Sequence, residues 1–350
     1  MFVVLHDCSL QRRCVLMKRV LIWFVMLLLG AAPTVAQQGK LEIRATKADE
    51  AAKKLQFLPE SGTLIDADAV PLYGMAVQAI PANFSEKKVR EWQDMPVAKL
   101  PLNEVGAMLK EFGPVFAFVD QAAMCKQCKW PAWTPDMTPV NLTEYRSISR
   151  VLALKARFEI AQGEYEKAIS TIRSGFVMAW HIGQSPVLIQ DLVAVAMAAL
   201  MNKEVEQLVQ APGSPNLYWA LESLPEPLID MEKAIQSEVS NIEKKYNALL
   251  RKTMLKQSKP AHDRVRLIAQ RLSRHLTALQ CVEAVRLYAW EHKKLPSVLT
   301  DITQVSTPED PAEKKPFTYR STGSSGVLKA PIPDGGDAKD AIHYELTLVE

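Results

Sequence analysis

The chain has 350 residues, of which 48% are hydrophobic and 23% are charged, and its formal net charge is +3. That length and composition fit one large or two modest globular domains, and they exclude a chain that is disordered throughout. Only 14 glycines accompany many Ala, Leu, Glu and Lys residues, which favours helix over strand.

The first 36 residues have the pattern of a secretory signal peptide. A basic start precedes an apolar run from Val20 to Leu29, and Thr34 and Ala36 lie at the two small positions that a signal peptidase reads. Met17 begins this pattern by itself, so we expect it to be the true start. Because the run is short for a membrane span, we predict cleavage near Ala36, with an uncleaved N-terminal anchor as the alternative.

Loss of this segment changes the charge balance. It removes four of the 42 Lys and Arg residues and one of the 39 Asp and Glu residues, which leaves 38 of each. No overall field then remains to attract nucleic acid, so we expect no such partner. We expect the mature protein in the periplasm or outside the cell, without a stable membrane span, and its cysteines therefore meet oxidising conditions.

Short helices broken by prolines are predicted from residue 40 to residue 121. Residues 66–80 form an amphipathic helix in this interpretation, and Ser85 caps the helix that follows it. No two-residue alternation here is long enough to predict a sheet.

Residues 140–209 are predicted to form antiparallel helix pairs. Gly163 lies between two segments of helical periodicity and can end the first by adopting a positive φ. The next helix is apolar almost all round, which is typical of a central buried helix. The predicted core is Leu152, Ile160, Ile169, Leu192 and Leu200.

The segment "AQGEYEKAI" in this block resembles the turn and second helix of a tetratricopeptide unit. The resemblance covers about 35 residues, one repeat period. It implies a tetratricopeptide-like helix pair within an otherwise irregular helical domain.

Residues after 211 continue the helical pattern. One charged helix is predicted to run to about Lys256, Pro260 interrupts it, and another helix runs from His262 to His292. This region holds eight Lys and Arg residues between 251 and 274, usually a solvated face. Three of them share one helical face and are candidates for contact with an anionic partner: Arg264, Arg271 and Arg274.

The last sixty residues change character. "FTYRSTGSSGVLKA" alternates around a Gly/Ser turn and predicts a β-hairpin. "LYAWEHKKLPSVLTDI" followed by "PEDPAEKKPFTYR" looks like the globular end of type II secretion pseudopilins, although the prepilin cleavage motif of that family is missing. The resemblance implies only a helix-plus-small-sheet module.

The order of these features, including "PNLYWALESLPEPL", also resembles a group of uncharacterised exported bacterial helical proteins. That resemblance implies architecture and no chemistry. The predicted fold is mainly α, with antiparallel helix pairs and a small C-terminal α+β module that contains the hairpin. Its predicted parts are the signal peptide (1–36), a helical domain (37–292) and the C-terminal module (293–350).

Cys125 and Cys128 stand three residues apart in "AAMCKQCKWPAW". Covalent haem requires a histidine after the second cysteine, where this chain has Lys129, and a thioredoxin-like site requires the pair at a helix start. Structural zinc requires four ligands, and only Cys281 and distant histidines are available. Three options remain: a Cys125–Cys128 disulfide, a bridge from one of the pair to Cys281, or free buried thiols. Because export implies oxidation, we predict a disulfide that uses one of the pair and leave its partner open.

No other constellation predicts chemistry. Five histidines are scattered without metal spacing and are expected to be surface or cap residues: His181, His262, His275, His292 and His343. The chain contains no nucleophile elbow, phosphate loop or dinucleotide fingerprint. We predict no catalytic residue, cofactor or metal.

The function predicted from these features is a non-enzymatic helical scaffold of the cell envelope that binds an unknown peptide or envelope protein. Its predicted groove is lined by Tyr145 and Arg146. The alternative is an enzyme whose site is assembled from distant segments without a recognisable motif.

Overall fold

The computed structural model describes residues 38–131 and 142–350, which belong to one compact unit, residues 36–350. The fold is mainly helical with a small C-terminal β-sheet, as predicted. The helices are α1 Ala69–Gln78, α2 Glu86–Gln93, α3 Leu102–Glu111, α4 Gly113–Ala123, α5 Leu142–Ala161, α6 Tyr165–Ile182, α7 Leu188–Gln210, α8 Tyr218–Glu222, α9 Glu232–Lys245 and α10 Ala248–His292. The strands are β1 Gln38–Arg44, β2 Ile65–Asp68, β3 Cys125–Gln127, β4 Glu309–Asp310, β5 Lys315–Pro316, β6 Thr318–Thr322, β7 Ser325–Ala330 and β8 Ile342–Val349.

Helices α5, α6 and α7 pack on one another and form the centre of the core. Gly163, at φ +73°, ends the first of them as predicted, because this conformation favours glycine. A Cβ at Gly175 of α6 would collide with Met201 of α7, so glycine permits the close approach of these two helices. The predicted core residues are buried, except Leu200, which is half-buried on α7.

The charged helices of the second half differ from the prediction. The break lies between α9 and α10, where the Asn247 side chain accepts a hydrogen bond from the Leu250 backbone N–H at 3.1 Å and caps α10. Pro260 lies inside α10 and does not interrupt it. The interruption predicted there is wrong: proline removes a single backbone donor, and the rest of this 45-residue helix continues through it.

The C-terminal sheet has the strand order β1-β8-β7-β6. The predicted hairpin is confirmed by β6 and β7, which pair antiparallel on either side of Gly323. The edge strand β1 comes from the start of the described chain and pairs parallel with β8, from Gln38 opposite His343 to Arg44 opposite Val349. This strand was not predicted, because Leu41 and Ile43 are its only buried apolar side chains and give a very short alternation.

Within residues 38–131 and 142–350, no helix is both long and apolar enough to cross a bilayer.

Candidate functional site

The segment with the two cysteines lies where β2, β3 and the start of α1 meet, and this region is here called the corner. Strand β3 begins at Cys125 and pairs parallel with β2, so that the Ile65 backbone N–H donates to the Met124 carbonyl at 2.8 Å. Asp68 ends β2, caps α1 by accepting from the Val70 N–H at 3.1 Å, and also accepts from the Lys129 N–H at 3.0 Å. A single carboxylate thus fixes the chain on both sides of the corner.

The three cysteines of the described chain are free and buried, so the predicted disulfide is absent. The geometry explains the outcome for the pair. Strand β3 is extended from Cys125 to Gln127, so the chain moves away from Cys125 by about 3.3 Å per residue before it reaches Cys128, whereas a disulfide requires Cα atoms within about 7 Å. Cys281 is buried in α10, where its Sγ lies 3.6 Å from the Pro308 carbonyl oxygen.

The two thiols of the corner are not activated. Burial raises the pKa of Cys125, and the Asp68 carboxylate adds to that shift. Burial and Asp68 together also raise the pKa of Cys128. Both groups therefore stay protonated near neutral pH, where a nucleophilic cysteine requires a thiolate.

His181, in the last turn of α6, is the polar centre of the corner. Its Nδ1 lies 2.8 Å from the hydroxyl oxygen of Tyr73, a fully buried residue of α1. The Trp130 indole N–H donates to the His181 backbone carbonyl at 2.7 Å. Its buried Nε2 makes no well-formed hydrogen bond among the described residues, although the nearby Cys125 backbone acts to raise the pKa of the ring. A buried polar group without a full partner is unusual.

The Tyr73 contact assigns the tautomer of His181. The Tyr73 hydroxyl has no other acceptor in the described part of the chain, so we assign it as the donor to Nδ1, which leaves the proton of the neutral ring on Nε2. Burial lowers the pKa of His181 from 6.5 to about 4. At neutral pH the ring therefore presents one uncharged N–H donor.

Two cavities of about 420 Å³ each adjoin this corner, and Cys125 contributes to the walls of both. One is almost wholly apolar and lies between Ile65, Leu72 and Met124. The other, here called the His181 cavity, combines apolar walls with a polar rim. Its apolar walls include Leu58, Pro59, Val177 and Trp180, and its polar residues include Gln56, Glu60, Ser61, His181 and Ser223.

Tyr145 does not line a groove with Arg146. Its buried ring packs edge-on against Trp130, with centroids 5.8 Å apart, and against Tyr73 at 6.5 Å. Arg146 is half-buried on the same helix and lies in the field of Glu86. These two residues therefore do not share one surface, because adjacent helical positions face different surroundings.

The predicted arginine face exists on α10, but its acids come from the protein itself. Arg264 lies 3.1 Å from Asp337, and the Arg271 Nε donates to Asp340 at 2.7 Å. Arg274 is fully buried and forms a bidentate pair with Asp310 at 2.8 and 2.7 Å. These three side chains bind the C-terminal loops to α10. They are therefore not free to bind an anionic partner.

Sequence reasoning placed the histidines at the surface, which is wrong for three of them: His181, His262 and His275 are buried. His275 also meets a buried tyrosine, but with the opposite polarity: the Tyr344 hydroxyl donates to Glu206 at 2.7 Å, so His275 Nδ1, 3.0 Å from that hydroxyl, is the donor to it. The partners lie on distant segments, so no local spacing could have shown them. In the described residues no three His, Cys, Asp or Glu side chains are grouped as metal ligands would be.

Comparison with protein-family models, with curated proteins and with solved structures finds no match to this chain. The resemblances to a tetratricopeptide unit, to pseudopilins and to exported helical proteins therefore stay predictions.

Proposed function

We propose that the protein is an exported, non-enzymatic helical scaffold of the cell envelope that holds a peptide segment of another protein in the His181 cavity. The observation that carries this proposal is His181, which contributes to the wall of that cavity and whose buried Nε2 makes no well-formed hydrogen bond among the described residues. A neutral N–H donor fits an uncharged acceptor, such as a peptide carbonyl oxygen.

The composition of the cavity supports the same ligand class. Its volume of about 420 Å³ is in the range of small ligand sites, and it suits one or two amino-acid side chains. Leu58, Val177 and Trp180 offer apolar surface to a side chain, while Ser61 and Ser223 lie at the same cavity and can bond to a peptide backbone.

The electrostatics of the corner favour binding over the alternative, an enzyme with a site assembled from distant segments. A general base works best with a pKa near the working pH, whereas the pKa of His181 is about 4. The thiols of Cys125 and Cys128 have raised pKa values, so neither supplies a nucleophile.

The test uses peptides selected from a random library displayed on phage, resynthesised and measured by calorimetry. The variant Ser223→Trp places a large ring at the exposed rim of the cavity, and Ser324→Trp makes the same change at the exposed hairpin turn between β6 and β7. We expect the first to weaken peptide binding by about tenfold or more and the second to leave it unchanged. Selected peptides that bind both variants equally would contradict the proposal.

Export is tested separately by mass spectrometry of the mature N-terminus. Cleavage near Ala36 is the expected result, and recovery of the intact chain from the cytosol would contradict it.

A further inference from the structure

The end of α9 and the start of α10 form an exposed tip, here called the hairpin tip and defined as residues 243–261. Ile242 and His262 are buried, but none of the described side chains between them is. The hairpin tip therefore contributes no fully buried side chain to the core among its described residues.

The hairpin tip concentrates positive charge. It contains six bases and one acid, whereas residues 37–350 together contain equal numbers of each. Among its described side chains, Lys259 alone has an ion-pair partner, Asp263 at 2.8 Å. The other described cations of the tip, among them Arg251 and Lys252, are exposed and available to an anionic partner.

The same tip exposes large apolar side chains. Leu249 is 78% exposed and Leu250 is 41% exposed, directly before Arg251 and Lys252. Tyr246, whose ring suits a boundary between apolar and aqueous surroundings, lies just before them at the turn. Exposed leucines surrounded by cations are typical of segments that lie in the interface of a bilayer.

We propose that the hairpin tip docks on an anionic phospholipid surface, with Leu249 and Leu250 inserted among the headgroups and the surrounding cations bound to lipid phosphates. A nucleic acid or an acidic protein surface would satisfy the cations but leave the two leucines in water. An anionic bilayer takes both, because its headgroups attract Lys and Arg while its acyl boundary takes apolar side chains.

The experiment uses residues 36–350, the compact unit that contains the described core, so that the apolar run of the first segment does not contribute. Co-sedimentation is measured with phosphatidylcholine vesicles that contain or lack phosphatidylglycerol. We expect binding only to the anionic vesicles, and we expect added salt to weaken it.

Two variants and a matched control locate the contact. Arg251→Glu with Lys252→Glu should weaken binding by about tenfold or more, because each cation near an anionic surface contributes about fivefold. The control, Lys99→Glu with Lys110→Glu, makes the same change in net charge at exposed lysines outside the tip and should bind nearly as the parent does. Leu249→Ser with Leu250→Ser keeps all charges and should also lose about tenfold.

Circular dichroism should show all three variants folded, because none of the changed side chains is buried. Equal loss in the Lys99/Lys110 control would show that net charge alone attracts the protein, and it would overturn the proposal. Unchanged binding after the leucine substitutions would overturn it as well. Failure of the parent to bind anionic vesicles while it binds DNA or polyglutamate would assign the tip to another class of partner.

Discussion

The substitution Arg274→Met tests how the long helix α10 holds the C-terminal module. The Arg274 side chain is fully buried and donates to both carboxylate oxygens of Asp310, to the Pro331 carbonyl at 2.7 Å and to the Asp340 carbonyl. Methionine fills much of the same space but donates nothing, so four acceptor contacts lose their donor at once.

The expected loss of stability follows from the Asp310 carboxylate and the two carbonyls that stay buried without their donor. Removing one partner of a buried ion pair costs about 3–5 kcal/mol, because the other charge stays uncompensated. The Asp310 carboxylate is 1% exposed, so water does not reach it without local opening. The two carbonyls add up to about 1 kcal/mol each. We expect the free energy of unfolding to fall by about 3–7 kcal/mol, a large fraction of the stability of a typical domain.

Urea unfolding followed by circular dichroism measures this loss. The double variant Arg274→Met with Asp310→Leu should recover half of it or more, because it leaves no unpaired charge in the interior. Arg251→Met, at an exposed arginine of the same helix, is the control and should change stability by less than about 0.5 kcal/mol. A loss below about 1 kcal/mol in Arg274→Met, or a double variant no more stable than the single one, would refute the reasoning.

Three further predictions concern single groups. Burial raises the pKa of Asp191 from 3.8 to about 8 in the folded protein. Between these values the unfolded chain ionises this carboxyl while the folded protein keeps it protonated, so the free energy of unfolding falls as the pH rises through that range. Asp191→Asn should therefore stabilise the protein by about 2–4 kcal/mol near pH 8 and little near pH 4, as measured by urea unfolding at both pH values; equal effects would contradict the buried carboxyl. The three buried cysteines should react with Ellman's reagent only after unfolding, and fewer than three thiols in denatured, unreduced protein would show that a disulfide forms. Gly175→Ala should lower the free energy of unfolding by about 1–3 kcal/mol, as measured by thermal unfolding, because the new methyl group collides with Met201. The same substitution should cost less in a Met201→Ala background, and an equal cost there would contradict the collision.

Local patterns predicted the local structure well. Gly163 marked the turn between α5 and α6, and the Gly/Ser turn marked the hairpin of β6 and β7. Both predictions depend on residues a few positions apart, where periodicity and turn chemistry act directly. The broad mainly helical class follows from the same signals, summed over the chain.

Contacts between distant segments were not predictable in this way. The alternation of Leu41 and Ile43 is too short to show a strand without knowledge of its partner β8. The spacing of Arg264, Arg271 and Arg274 correctly indicated one helical face, but it carries no information about the aspartates that meet it 36 to 73 residues later. A cationic face on a helix therefore predicts an acidic partner without saying whether that partner belongs to the same chain.

The candidate site shows the same limit. The cysteine spacing drew attention to the correct corner, while its polar centre, His181 with Tyr73, joins residues separated by 108 positions. Tyrosine and histidine are common in cores and at surfaces alike, so their types gave no signal. Helix α1 packs mainly against α4, and the Tyr73 side chain reaches His181 in the last turn of α6.

The parallel pairing of β1 with β8 makes completion of the sheet depend on a strand about 300 residues further along the chain. During synthesis, β1 cannot pair until residues 342–349 have been made. A chain that stops before Ile342 leaves Leu41 and Ile43 without their cover and presents the free edges of β1 and β7. Because unpaired strand edges promote aggregation, we expect a chain truncated at that point to aggregate.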